Sequence, residues 1–206
     1  MHLDKTVRRT AVGLALALAC STPFGAHAAS KTGQYAVKGI GIQKCADFLT
    51  AYEKRTQGAF VFAGWVDGYI SAYNRAHADT FDAAPWQSVD VLLALIHSHC
   101  SKAPEERLFG VVHAMIEFFK DQTLTESSPT VETAAGDKKI TLYKEVLRRA
   151  QQKLVEAGVY SGTPDGLFGP KTQAAFEAYQ EKHKLPTSGL PDQQTLVDLF
   201  GLKPAE

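Results

Sequence analysis

No charge of either sign dominates this chain of 206 residues: Lys plus Arg number 22, and so do Asp plus Glu. Without a basic excess to neutralise phosphates, nucleic acid is excluded as a partner. No run of about 18 or more apolar residues occurs, so a polytopic membrane protein is excluded. Gly-x-Ser-x-Gly, His-Glu-x-x-His and phosphate-loop motifs are all missing, which removes the commonest hydrolase, metalloprotease and nucleotide-binding readings. Cysteine is scarce, at three residues. What remains is ordinary: 45% hydrophobic and 21% charged residues, enough apolar content to fold.

The start of the chain reads as an export signal rather than as fold. Lys5, Arg8 and Arg9 form a basic region, the apolar stretch from Ala11 to Cys20 follows, and Pro23 precedes the small-x-small site Ala26-His27-Ala28. Cleavage is expected after Ala28, giving a periplasmic protein with no membrane span. The rival is lipoprotein processing at Cys20, but Ala17 and Leu18 stand in the reverse of the order it wants. Cleavage leaves Cys45 and Cys100. A pair in an oxidising compartment reads as a disulfide, the alternative being two buried free thiols. Its sequence separation of 55 is worth about 4 kcal/mol in the chain-entropy model.

Composition shifts near residue 123. The stretch TLTESSPTVETAAGDKK, residues 123–139, is polar, with Leu124 and Val131 as its sizeable apolar groups. It reads as a flexible linker with a reach of about 20–25 Å. The expected class is therefore all-α: an N-terminal helical domain over 29–122, the linker, and a C-terminal module over 140–206.

Four helices are expected in the N-terminal domain. Cys45, Phe48, Leu49 and Tyr52 share one helical face. Trp65, Tyr69 and Tyr73 repeat every four residues beside Gly64 and Gly68, as for an aromatic core face next to a glycine face that another helix approaches. Leu92, Leu93, Ile96 and Cys100 make a third face. Pro104-Glu105-Glu106 reads as the start of a fourth helix, whose apolar face holds Val111, Val112, Met115, Phe118 and Phe119.

Catalysis and metal binding find no footing here. His97 and His99, two apart, point in different directions on a helix. Cys100 is expected to be oxidised, so together with His113 the group falls short of the three or four converging ligands a zinc site needs. Glu53, Glu105, Glu106 and Glu117 show no pairing suited to glycosidase work. No enzyme, cofactor or metal is expected.

The run Cys45-Ala46-Asp47-Phe48-Leu49, with a second cysteine at Cys100 and a final Phe-containing helix, resembles the HdeA-type periplasmic acid-stress proteins. That resemblance implies an all-helical fold held by one disulfide, and a chaperone that exposes apolar surface at low pH.

The C-terminal module carries the most specific signal. Leu142, Val146, Leu147, Ala150 and Leu154 form one helical stripe, ended by Gly158. Gly169-Pro170 opens a second helix whose Ala175, Phe176 and Tyr179 face inward. Thr187-Ser188-Gly189-x-x-Asp192-x-x-Thr195 caps a third, with face Leu196, Leu199 and Phe200. Gly166-Leu167 before Thr172 and Gly189-Leu190 before Thr195 make an internal echo. Gln151-x-x-Leu154, then Asp165-Gly166-x-x-Gly169-x-x-Thr172-x-x-Ala175-Phe176-x-x-Tyr179-Gln180, then Gly189-x-x-Asp192-x-x-Thr195, resembles the peptidoglycan-binding domain-like family. Phe176 stands where that pattern usually has an aliphatic residue.

This resemblance implies a three-helix fold and binding to wall glycan or stem peptide. The candidate contact residues are Tyr160, Asp165, Gly166, Phe168, Thr172, Gln173 and Gln180, hydrogen-bonding groups beside aromatic faces. Asp165, Gly166 and Thr172 equally suit turns and caps. The first expectation is thus an exported, non-enzymatic wall-binding protein that displays its helical domain in the periplasm. Its partners would be peptidoglycan and, through that domain, an unidentified periplasmic protein. A wall-tethered acid-stress chaperone and a cell-wall hydrolase or its accessory subunit are the alternatives.

Overall fold

The computed structural model describes residue 30 and residues 34–202. The export signal, its cleavage site after Ala28 and Cys20 lie outside the described residues. The described residues form seven α-helices and one two-stranded sheet: α1 (Cys45–Glu53), α2 (Gln57–Ala76), α3 (Val89–Cys100), α4 (Leu108–Phe118), β1 (Thr130–Ala135), β2 (Lys138–Tyr143), α5 (Lys144–Glu156), α6 (Pro170–Lys182) and α7 (Gln193–Leu199). Among the described residues, no helix is long and apolar enough to cross a membrane.

Four N-terminal helices form, and the Cys45–Cys100 disulfide joins the start of α1 to the end of α3 with a Cα–Cα distance of 5.0 Å. On α4 the core face is Leu108, Val111, Val112 and Ile116, and Phe118, expected in it, is 70% exposed. Both cysteines, Phe48 and Ile96 are fully buried. On α2 the core stripe is Phe62, Val66 and Ile70, not the aromatic row expected there. Trp65, Tyr69 and Tyr73 are half-buried one step round the helix. They meet α4, where Tyr69 packs edge-on against Phe109 with centroids 5.4 Å apart and its hydroxyl lies 3.0 Å from His113 Nδ1. Burial pushes the Tyr69 phenol up to about 12.

Two further expectations are corrected. No helix approaches Gly64 or Gly68: a Cβ added at either would meet nothing within 4 Å. The close approach falls instead at Gly41, where an added Cβ would overlap the Trp65 ring. The fourth helix begins at Leu108 rather than at Pro104. Residues 104–107 are claimed by the start of α1, with Cys45 N donating to Glu106 O at 2.8 Å and Ala46 N to Pro104 O at 3.0 Å. Helix geometry there would break those bonds.

The largest correction concerns the linker and, with it, the all-α class. Residues 130–143 form an antiparallel hairpin, register Val131 to Leu142 and Thr133 to Ile140, closed by the two residues Gly136 and Asp137. Gly136 has φ of 57°, the left-handed entry that a two-residue hairpin loop requires of its first position. Val131, Thr133, Ile140 and Leu142 alternate onto the inner face, and Thr133 and Leu142 are buried. That period of two was present in the sequence but hidden among small polar residues. Leu142 consequently belongs to β2, not to the α5 stripe. Leu124 is also buried, pairing with Asp82 through Leu124 N to Asp82 O at 2.9 Å.

In the C-terminal part the expected three helices appear. Val146, Leu147, Ala150 and Leu154 of α5 are buried against Ala175, Phe176 and Tyr179 of α6 and Leu196 and Leu199 of α7. Gly158 ends α5 at φ 76°, and Pro170 occupies the first turn of α6, where its missing N–H leaves no bond unmade.

Candidate functional site

The motif residues of the C-terminal module build one device twice. Gln151 on α5 is completely buried. Its Oε1 accepts from the consecutive amides of Asp165 and Gly166 at 2.9 and 2.7 Å. Its Nε2 donates to Leu167 O at 2.9 Å and to Thr172 Oγ1 at 3.0 Å. Gln180 on α6, equally buried, repeats this: Oε1 accepts from Ser188 and Gly189 N–H, both at 2.9 Å. Its Nε2 donates to Leu190 O at 3.0 Å and Thr195 Oγ1 at 2.9 Å. Each primary amide thus fills two donor and two acceptor positions inside the fold. The turns need glycine, since Gly166 and Gly189 have φ of 71° and 66° and an added Cβ would lie 2.5 Å from Lys144 O or 2.8 Å from Glu177 Oε1.

The internal echo is therefore real in three dimensions, and it reassigns several candidates. Thr172 and Gln180 are buried with their polar atoms bonded internally, which places them in the frame of the turns rather than on their surface. Gly166 is buried as well. Asp165 is exposed, but its Oδ1 accepts from Leu167 N–H at 2.9 Å, and that bond holds its carboxyl below the usual carboxylate range. These residues shape the turn because a buried amide leaves no free donor for a ligand.

Tyr160, Phe168 and Gln173 stay at least partly accessible. Tyr160 lies over Gly162, whose added Cβ would overlap its ring, and its hydroxyl donates to Thr163 O at 3.3 Å. Gln173 belongs to the second turn, beside Gly189, with Nε2 donating to Glu177 at 2.9 Å. The two turns then differ in one decisive respect. Leu190 is 1% exposed whereas its counterpart Leu167 is 55% exposed. Leu167, next to Phe168 and on the same loop system as Tyr160, makes the first turn an apolar surface with a polar edge. Sequence reasoning missed it because a leucine in both repeats reads as core in both.

The module is not isolated from the helical half. Gln193 at the start of α7 donates to Trp86 O at 2.6 Å and accepts from Ser88 N–H at 2.9 Å. The Trp86 ring stacks on Phe200 at 5.2 Å, and its indole N–H donates to Gln122 Oε1 at 2.9 Å. Arg149 reaches from α5 to Gln122 O at 2.7 Å. Tyr143 meets Phe81 at 5.8 Å. Among the described residues, no group of three or more His, Cys, Asp or Glu side chains is placed to hold a metal ion.

The family comparison falls on the same module. Residues 144–199 match the family model described as "Putative peptidoglycan binding domain". A protein of Nostoc punctiforme named "Putative OxPP cycle protein OpcA" is 29% identical over 99 residues, covering 48% of this chain and 21% of that protein. A protein of the same name from Synechococcus elongatus is 45% identical over 49 residues, 24% of this chain and 11% of that protein. The chain thus spans about a fifth and about a tenth of the lengths of these two relatives. No solved structure matches the chain. From α5 to the end of α7, residues 144–199, this chain carries a peptidoglycan-binding-like domain.

Proposed function

We propose that this chain is an exported, non-enzymatic protein that binds peptidoglycan through its C-terminal module and presents its disulfide-bridged helical half in the periplasm. The observation that carries the reading is the family match over residues 144–199, joined to an exposed first turn. Leu167, Tyr160 and Phe168 offer apolar faces for sugar rings or peptide methyl groups, and Asp165 lies at their edge. Export is supported by the basic, apolar and small-x-small succession through Ala28, and by a disulfide, which persists in oxidising compartments. The non-enzymatic character rests on the absent catalytic motifs and on motif side chains engaged in internal hydrogen bonds.

Sedimentation with insoluble purified sacculi tests this reading on the mature chain from residue 29. The parent protein is expected in the pellet, and Leu167→Ser combined with Phe168→Ala is expected to shift it to the supernatant while helix content is retained. Parent protein that stays in the supernatant ends the proposal. Retention of the double variant in the pellet moves the contact surface away from the first turn.

A further inference from the structure

We infer that the outer face of α4 is a docking surface whose occupant is α4 of a second copy of this chain, packed antiparallel about a two-fold axis. The inference goes beyond wall binding and does not depend on it.

The starting point is Phe118. α4 is apolar nearly throughout, LFGVVHAMIEF, and its core face takes Leu108, Val111, Val112 and Ile116, yet the Phe118 ring is left 70% exposed. Phe118 borders a groove of about 250 Å³ between α3 and α4, lined by Leu95, Val111 and Met115 and bordered also by Gly110. A cavity of about 150 Å³ already accepts benzene, so a phenyl ring fits this one. Gly110, Ala114 and Phe118 follow one another at four-residue spacing, which sets them in one row on the helix surface, about 12 Å long. All three are exposed. A Cβ added at Gly110 would meet nothing within 4 Å, so one end of the row is a hole and the other a knob.

That row is complementary to itself. In a two-fold pair every contact is made twice, residue i on j and j on i. With Ala114 at the axis of an antiparallel pair, Phe118 of each copy lies over Gly110 of the other, and the two Ala114 methyl groups meet between them. A different protein would have to bring both a knob and a hole at this spacing, whereas a second copy carries both. Charge agrees with the register. It sets the exposed Arg107 opposite the exposed Asp121, in the turn that follows α4, and Glu106 opposite Gln122. Unlike charges thus meet at both ends and no like pair stands directly opposite, which favours this alignment over shifted ones. Pairing also gives each particle two C-terminal modules, which strengthens attachment to any repetitive surface that one module holds.

Sedimentation equilibrium of the full mature chain, read as mass against concentration, tests the assignment. The parent is expected at twice the chain mass at micromolar concentration. Phe118→Ser removes the knob and Gly110→Leu fills the hole, and each should weaken association about a hundredfold or more, because the two-fold loses both copies of the contact at once. Both positions are exposed, so helix content should match the parent. Ala114→Cys reads the register independently: at a two-fold axis the new thiol faces its own copy, so oxidation should give a covalent dimer. Ala72→Cys, exposed on α2, should stay monomeric under the same treatment. A parent that is monomeric at every concentration overturns the inference and leaves the groove to another occupant. It is equally overturned if either Phe118→Ser or Gly110→Leu associates like the parent, or if Ala114→Cys cross-links no more than Ala72→Cys.

Discussion

The side-chain amide of Gln193 grips the backbone beside Trp86 from both sides, donating to the Trp86 carbonyl at 2.6 Å and accepting the Ser88 N–H at 2.9 Å. One surface-looking glutamine at the first position of a seven-residue helix thus connects segments more than a hundred positions apart. The hairpin of β1 and β2 lies against the same junction, where Thr130, Ile140 and Leu142 share a cleft of about 270 Å³ with Trp86, Pro191 and Gln193.

Removing that grip has a defined consequence. Gln193→Ala leaves a buried carbonyl and an N–H without partners, which should destabilise by about 1–3 kcal/mol. The parent is expected to unfold in one denaturant transition reported alike by near-UV and far-UV signals, and the variant at lower denaturant. If Gln193→Ala matches the parent midpoint, the halves are not coupled through this side chain.

The twin glutamines give a stronger effect. Gln151→Ala or Gln180→Ala strands two consecutive backbone N–H groups, while the threonine hydroxyls keep Leu167 O and Asp192 Oδ1 as partners. Either change should destabilise by about 2 kcal/mol or more, since each stranded buried group costs about 1–3 kcal/mol. Equal losses for the two variants in thermal melts would support the equivalence of the repeats. A variant within about 1 kcal/mol of the parent would show that water replaces these bonds.

Loss of the bridge is predicted to act on the other half. Cys45→Ser should destabilise by about 2–5 kcal/mol, as in other small secreted domains. Free-thiol titration of the folded parent should find neither Cys45 nor Cys100, and reaction of both would contradict the bridge.

Tyr73 and Glu117 make a pH test with two limbs. The Tyr73 hydroxyl donates to Glu117 Oε1 at 2.6 Å. Burial, then this bond, pushes the phenol up to about 12, while the same bond holds the carboxyl below its ordinary 4.5. The raised phenol contributes stability that is whole below pH 10 and lost as pH rises towards 12. The depressed carboxyl contributes stability present above pH 4.5 and lost as pH falls through its folded value. Tyr73→Phe should therefore flatten both ends of the melting-temperature profile. A profile that parallels the parent at both ends would count against the pair.

How much of this was legible beforehand differs by element. The helices of both halves were, because Leu92, Leu93, Ile96 and Cys100, or Val146, Leu147 and Leu154, repeat at helical spacing over two turns or more. The repeated Gly-Leu before Thr was legible as a pattern, though not as a scaffold. Nothing local says that Gln180 points inward while Gln173 stays half-exposed. Period and punctuation are local properties, so the amino-acid sequence by itself determined the helices of the described residues and the glycine and proline ends at Gly158 and Pro170, and it pointed to the pairing of Cys45 with Cys100. Tertiary structure alone decided that residues 130–143 are a hairpin, since Val131, Thr133, Ile140 and Leu142 gain order only by burial against the Trp86 loop and α7. It also decided that Leu190 is core and Leu167 is surface. Those outcomes depend on which distant surfaces meet, and burial against a distant partner leaves no periodic mark along the chain.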